Sequence, residues 1–315
     1  MIVLVVPALA LALASIGAFF GQWVWWLDVL ANFRFQYFVV LAILGIPILF
    51  SKYRYLGYAI LGVAGINLAL VAPLYLASPG DVDGSRPGLV VLNFNILSDN
   101  QEFGPVIDYI RSADADLVFL YEASRPWEVA IEQSGLDYEV IRARADDLIF
   151  GTLILARDEV EAVSYGFAES QPRAVALTYH PDRWPTPIEV LSVHPHSPTD
   201  ATRASLRDAQ LAFAADWAAD REGPYLVVGD LNATPWSAPF RNLITTGHLT
   251  NSQRGFGLQA TFPVDQIAFV RIPIDHVLHS DVISVRDRSL GPALGSDHFP
   301  VLVELQYNGE APADR

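Results

Sequence analysis

No cysteine occurs in the 315 residues, and lysine occurs once, at Lys52. The first absence excludes disulfide frameworks and thiolate metal sites together. The second leaves arginine to carry nearly all the positive charge. From Ala77 onward, 17 arginines face 34 aspartates and glutamates, a net charge of −17. Proteins that neutralise many phosphates along a duplex are basic, so this balance argues against tight, extended duplex binding. It does not argue against a small phosphoester held at a metal. A third shortage is local: residues 1–77 contain only Asp28, Arg34, Lys52 and Arg54 as charged side chains. The chain is 52% hydrophobic with a mean hydropathy of +0.29, and the excess lies in this first quarter. No internal repeat or low-complexity tract is present.

The two parts call for different solvents. Met1–Phe20 is an uncharged run of 20 residues, long enough to cross a hydrocarbon core of roughly 30 Å. Gln36–Phe50 is a shorter run, and Leu56–Ala77 is a long one with Asn67 as its one strongly polar residue. Trp23, Trp25, Trp26, Tyr37, Tyr53 and Tyr55 flank them at interfacial positions. Three spans are expected. A cleaved signal peptide is the alternative for the first, but it lacks a basic leading region and more apolar sequence follows. The second loop carries Lys52 and Arg54, the first Asp28 and Arg34. The positive-inside bias then places the second loop in the cytoplasm and the remainder of the chain outside it. Residues 1–77 are thus expected as a membrane anchor, 78–88 as a breaker-rich linker, 89–306 as a catalytic domain and 307–315 as a tail.

Beyond the linker the pattern is one of short apolar strands with helices between them. Strands are expected at Leu89–Asn95, Leu117–Tyr121, Gly151–Ala156, Ala174–Tyr179, Ile188–His194, Tyr225–Gly229, Asp275–His279 and Phe299–Leu305. Helices are expected near Phe103–Ser112, Pro126–Ser134 and Asp200–Asp220. Several strands are continuously apolar, as strands covered on both faces are. Strands outnumber helices without simple βαβ alternation, which predicts two packed sheets with helices outside.

Polar groups collect at the ends of these strands: Asn93 and Asn95, Glu122, His194-Pro195-His196, Gly229-Asp230-Leu231-Asn232, Asp275-His276, and Ser296-Asp297-His298. Glu, Asp and Asn are hard oxygen ligands suited to Mg2+ or Mn2+. Histidines beside carboxylates suit proton transfer and the balancing of charge. His194 and His196 also have the spacing of a zinc pair, which keeps a zinc hydrolase open as an alternative.

This ordered set resembles the endonuclease/exonuclease/phosphatase superfamily over roughly Leu89 to Gln306, and the preceding spans look like those of a bacterial membrane-anchored branch. The Gly-Asp-x-Asn and Ser-Asp-His-x-Pro segments carry most of the likeness. The resemblance implies an α/β four-layer sandwich, two mixed sheets flanked by helices, behind an N-terminal transmembrane region. It implies hydrolysis of a phosphodiester or phosphomonoester by in-line attack of water, with Mg2+ or Mn2+ as cofactor. By position, Glu122, Asn95 and Asp297 would bind metal, although Asp297 alternatively holds a neighbouring histidine. His194 would contact the scissile phosphate, and His196 would be a secondary substrate contact. Asp230 and Asn232 would orient the nucleophile, and Asp275 and His298 would form a carboxylate–imidazole pair. Asn93 and Ser296 are expected as turn residues, and Thr261-Phe262-Pro263 as packing beneath the site. His180, His248, His276 and His279 receive no role. The implied substrates are a nucleic acid fragment, a nucleotide or a lipid headgroup. Arg125, Arg142, Arg144, Arg173 and Arg254 are candidates for an anion funnel. The bilayer is an expected partner, no protein partner is predicted, and the implied location is the bacterial inner membrane with the domain periplasmic or extracellular. An idle binding or sensor protein with the same fold is the other alternative.

Overall fold

The computed structural model describes residues 2–78, 80, 82–143, 151–166 and 174–309. The N-terminal part is helical: α1 (Ile2–Gly17), continued by a 3-10 turn, then α2 (Trp25–Leu30), α3 (Arg34–Leu49), α4 (Arg54–Val71) and the short α5 (Pro73–Leu76). Three stretches, Ile2–Phe20, Trp25–Leu49 and Arg54–Val71, are long and apolar enough to cross a membrane. The third ends earlier than the apolar run, because a new short helix starts at Pro73, whose ring and missing N–H favour a helix start. Gly57 lets α4 approach α3, since a Cβ there would meet the Leu49 backbone at 2.6 Å. Arg34 is no loop residue: it opens α3, is buried, and donates to the Ser15 carbonyl at 2.8 Å and to Asn67 Oδ1 at 3.3 Å. Asn67 in turn donates to Ser15 Oγ at 2.7 Å, so one polar cluster ties all three long helices.

The remainder forms two six-stranded sheets. The strands are β1 (Gly88–Asn95), β2 (Leu117–Tyr121), β3 (Glu139–Ala143), β4 (Thr152–Ala156), β5 (Val160–Tyr165), β6 (Ala174–Tyr179), β7 (Ile188–Ser192), β8 (Tyr225–Asp230), β9 (Thr250–Asn251), β10 (Asp275–His279), β11 (Ile283–Leu290) and β12 (Val301–Tyr307). One sheet runs β11-β12-β1-β2-β4-β3 and the other β5-β6-β7-β8-β10-β9. Each is mixed: β1/β2 and β7/β8 are parallel, and the other pairs are antiparallel.

Inward residues such as Val91, Phe119, Ile154, Val190, Val228 and Val303 form one core between the sheets. On the outer face of the first sheet, α6 (Phe103–Ala113) and α7 (Arg125–Gln133) bury Val106, Ile110 and Trp127. Against the second sheet, α8 (Ala201–Ala219) and α9 (Ala238–Thr246) bury Leu211, Ala214, Phe240 and Leu243. The expected four layers are therefore present.

Two polar links cross the core. Asn93, expected at a turn, lies inside β1 and donates to the carbonyls of Gly229 at 3.1 Å and His276 at 3.2 Å. The Tyr121 hydroxyl sits 2.9 Å from Ser192 Oγ and donates to the Val228 carbonyl at 3.0 Å. His276 and His279 are also core residues, both buried in β10.

The helical part and the sandwich meet through buried polar contacts. Arg207 of α8 pairs with Asp28 of α2 at 2.8 Å, with both side chains buried. Asp28 also accepts the Ala238 N–H at 2.7 Å, at the start of α9. Thr234 donates to Asn32 at 2.9 Å, Trp236 to the Leu70 carbonyl at 3.0 Å, and Gln36 to the Phe269 carbonyl at 2.9 Å. Ala18, Ala31, Val71 and Leu74 pack with Trp236 around these bonds.

Candidate active site

The parallel pairs β1/β2 and β7/β8 end at one rim of the sandwich, and β10 runs back from it. Asn95 lies opposite Tyr121, one residue before Glu122, and Asp275 pairs directly with Asp230 across β10 and β8. Four strand ends and the approach to β12 thereby deliver their polar residues to one place. Glu122 and Asn232 sit there with φ of 57° and 48°, left-handed values uncommon for residues with a Cβ. Such strain concentrates where surrounding structure holds a side chain for use.

The centre is Asp230 Oδ2. Asn95 donates to it at 3.0 Å, and the Nε2 atoms of His194 and His298 lie 3.6 and 3.7 Å away. The Asn95 amide also donates to Glu122 Oε1 at 3.0 Å, while its oxygen accepts the Leu97 N–H at 3.1 Å. Asp230 Oδ1 accepts the Asn232 N–H at 3.0 Å, and the Asn232 amide donates to the Pro195 carbonyl at 3.0 Å. His298 Nδ1 lies 2.8 Å from Asp275 Oδ2, and the ring packs on Phe262 at 4.8 Å between centroids. Ser296 donates to the Asn95 carbonyl at 2.6 Å and accepts the His298 N–H at 3.0 Å, so it fixes that turn.

Charge in this group is unbalanced. Burial raises the Asp230 carboxyl, Asp275 raises it further, and His298 and His194 oppose. Burial also raises Asp297; His298 opposes that and Glu122 adds to it. For His298, burial alone would lower the ring, but Asp275 and Asp230 outweigh it and push it up to about 10. The carboxylates thus outnumber the available cations, and among the described residues a buried oxygen of Asp275, Oδ1, has no hydrogen-bond partner. That donor set, hard and anionic, fits a divalent cation.

Asp230, Asp275 and His298 each bring one ligand atom within 4.8 Å of the others. Asp275 and His298 already spend theirs on each other, and all three are buried. Glu122 and Asp297 are the open carboxylates, with side chains 21% and 40% exposed. His196 is buried, and burial together with nearby Arg203 and His194 holds its pKa low.

The structure therefore brings together Asn95, Glu122, His194, Asp230, Asn232, Asp275, Asp297 and His298, with His196 alongside. Of the suggested arginine funnel, the described members do not meet at the site. Arg142 pairs with Glu132, Arg125 lines a shallow cleft with Phe103, and Arg254 lines a groove against α9. Arg144 and Arg173 lie outside the described residues. Two arginines that sequence reasoning overlooked do reach the site from behind. Arg207 donates to the Asn232 carbonyl at 3.3 Å, and buried Arg288 donates to the Asp275 carbonyl at 3.4 Å. Neither lies in a motif; each is one charged residue in an amphipathic helix or an edge strand.

The chain belongs to the endonuclease/exonuclease/phosphatase family, whose model matches residues 92–298. No curated protein matches it. Solved structures show the same fold. An endonuclease/exonuclease/phosphatase from Beutenbergia cavernae is 17% identical, with a TM-score of 0.55, over 73% of this chain and 74% of that one. D. rerio TDP2, complexed with a single-strand DNA product, is 14% identical, with a TM-score of 0.58, over 70% and 99%. A mannosyl-6-phosphatase from Bacteroides thetaiotaomicron is 17% identical, with a TM-score of 0.54, over 70% and 100%.

Proposed function

We propose that the protein is a membrane-anchored, divalent-metal-dependent phosphoesterase whose sandwich works on the non-cytoplasmic face of the membrane. The observation that carries this is the hub at Asp230 Oδ2, where one buried carboxylate meets Asn95, His194 and His298 while Glu122 and Asp297 stay open. A divalent cation, Mg2+ or Mn2+, held by Glu122 and Asp297 would supply Lewis-acid neutralisation of the phosphoryl oxygens.

The chain's own groups account for the rest. Asn95 braces Glu122 against Asp230 through one amide, holding both carboxylates while they repel each other. Asp230, made more basic by burial, accepts the proton of the attacking water, and Asn232 keeps its carboxylate in register. Asp275 holds the His298 ring by Nδ1 and favours its charged form, so that Nε2 faces the reacting centre as a donor. His194, across Asp230, offers a second donor to the developing charge. His196 would touch the part of the substrate beyond the scissile bond.

Both phosphodiester and phosphomonoester substrates stay within this reading; one structural neighbour holds a single-strand DNA product and another is a mannosyl-6-phosphatase. Outward orientation is supported by the second loop, where Lys52 and Arg54 lie at the end of the helices remote from the sandwich contacts. The test is hydrolysis of bis-p-nitrophenyl phosphate and p-nitrophenyl phosphate by the full chain in detergent, with Mg2+, Mn2+, Zn2+ or EDTA. Activity should require Mg2+ or Mn2+ and fall at least a hundredfold in Glu122→Gln. Equal activity in EDTA, or zinc outperforming magnesium, would overturn the assignment.

A further inference from the structure

A groove of about 430 Å³ lies where the end of α4 meets α9 and the segment after β9. One wall is Leu70, from the end of the third membrane-length helix, and Leu74, from the short α5 that follows it; the other is Trp236 and Ile244. Arg241 and Arg254 stand over it, both exposed. No carboxylate lines it, and among the described residues neither arginine has an ion-pair partner. In a domain where acids outnumber arginines two to one, two unpaired cations above an apolar slot are a local reversal of charge.

The height of the groove is set by its own wall. Leu70 lies one residue before the end of α4, and Trp236 donates its indole N–H to the Leu70 carbonyl at 3.0 Å. On the anchored reading proposed above, on which this inference rests, that is the level of the lipid headgroups, where tryptophan is favoured and arginine meets anionic lipid. The size is that of a small-molecule site, apolar with a few convergent polar groups. We infer that the groove is a binding site for an anionic phospholipid of the surrounding leaflet. Its phosphate lies between Arg241 and Arg254, and an acyl chain lies along Leu70, Leu74, Trp236 and Ile244.

The full chain, reconstituted in phosphatidylcholine vesicles, tests this by quenching of tryptophan emission. Brominated phosphatidylglycerol or brominated phosphatidylcholine is added at equal bromine density. The share of emission missing from Trp236→Phe reports the groove. Brominated phosphatidylglycerol should quench that share at least twice as strongly, and Arg241→Gln/Arg254→Gln should abolish the difference. Equal quenching by both lipids, or selectivity that survives the double substitution, would overturn the inference. So would loss of selectivity in millimolar inorganic phosphate, which would make free phosphate the ligand. Release of the protein from vesicles by alkaline carbonate is a separate outcome, and it would refute the anchoring itself.

Discussion

Asp275 shows how little of a site residue's work is visible in its motif. Its carboxylate reaches His298 at 2.8 Å, and its backbone carbonyl is held by buried Arg288. Asp275→Asn keeps the shape but removes the charge that orients and charges the ring, so kcat should fall about 10²–10⁴-fold with little change in KM. Steady-state kinetics of the two proteins decide it. The neighbouring His276 is a different case, because it never meets substrate. Burial lowers its pKa to about 3 and Arg288 adds to this, while backbone hydrogen bonds to Ala233 and Pro273 pull the other way. The folded ring stays neutral while the unfolded ring takes a proton below its ordinary 6.5. The stabilisation is complete above pH 6.5 and is lost at about 1.4 kcal/mol per pH unit as pH falls towards 3. His276→Gln, which can still donate to Ala233, should show a shallower fall in Tm between pH 6.5 and 4. The motif residues were legible because each borders an apolar run, at its end or just before its start. Asn93 was misjudged because its side chain serves the gap between sheets, which no local pattern encodes.

Among elements, the boundary between legible and illegible has a physical cause. The eight strands expected from apolar runs are the eight interior strands of the two sheets. The four that escaped, β3, β5, β9 and β11, are the four sheet edges. Edge strands are short or polar because an apolar edge invites further pairing. β5 is mostly exposed, β9 has two residues, and β11 carries Arg286, Asp287 and Arg288 around a register shift. Helix α9 was not expected, although Pro239 sits at its start as Pro126 does in α7. One glycine governs how closely the elements meet at the site. A Cβ on Gly229 would sit on the Val193 carbonyl, where β7 and β8 diverge just before Asp230. Gly229→Ala should therefore cost about 1–3 kcal/mol in denaturant unfolding and displace Asp230, with activity falling more than stability explains.

For the molecule as a whole, the helices and the sandwich are not separable modules. Arg207 binds Asp28 on one side and the Asn232 carbonyl on the other, so the N-terminal helices brace the segment after β8 directly. Breaking a buried ion pair by removing one partner costs about 3–5 kcal/mol. Asp28→Ala should lower Tm in detergent and reduce kcat, whereas Asp28→Ala/Arg207→Leu should recover much of the stability but not the rate. A fragment starting at residue 80 leaves Arg207 without Asp28 and exposes Trp236, and should aggregate or lose activity relative to the full chain. A reporter active only outside the cytoplasm, fused after Arg315, should be active; an inactive one would reverse the orientation. None of this docking was legible beforehand, because Asp28 reads as a lone loop charge and Arg207 as one solvated helix position among several.

The same pair also bears on how the anchored reading proposed above would be realised. Asp28 lies near the start of the membrane-length stretch Trp25–Leu49, and that stretch and Arg54–Val71 both come before Arg207. Two crossings return the chain to the side it left; one or three do not. On that reading the Asp28–Arg207 bond is a parity check, closed only in molecules in which both stretches have crossed the bilayer. A chain with a skipped crossing would leave Arg207 with Asp208 as its remaining ion-pair partner and would strand Asp28 across the membrane. Its destabilised domain would be marked for proteolysis before it could act on the wrong side.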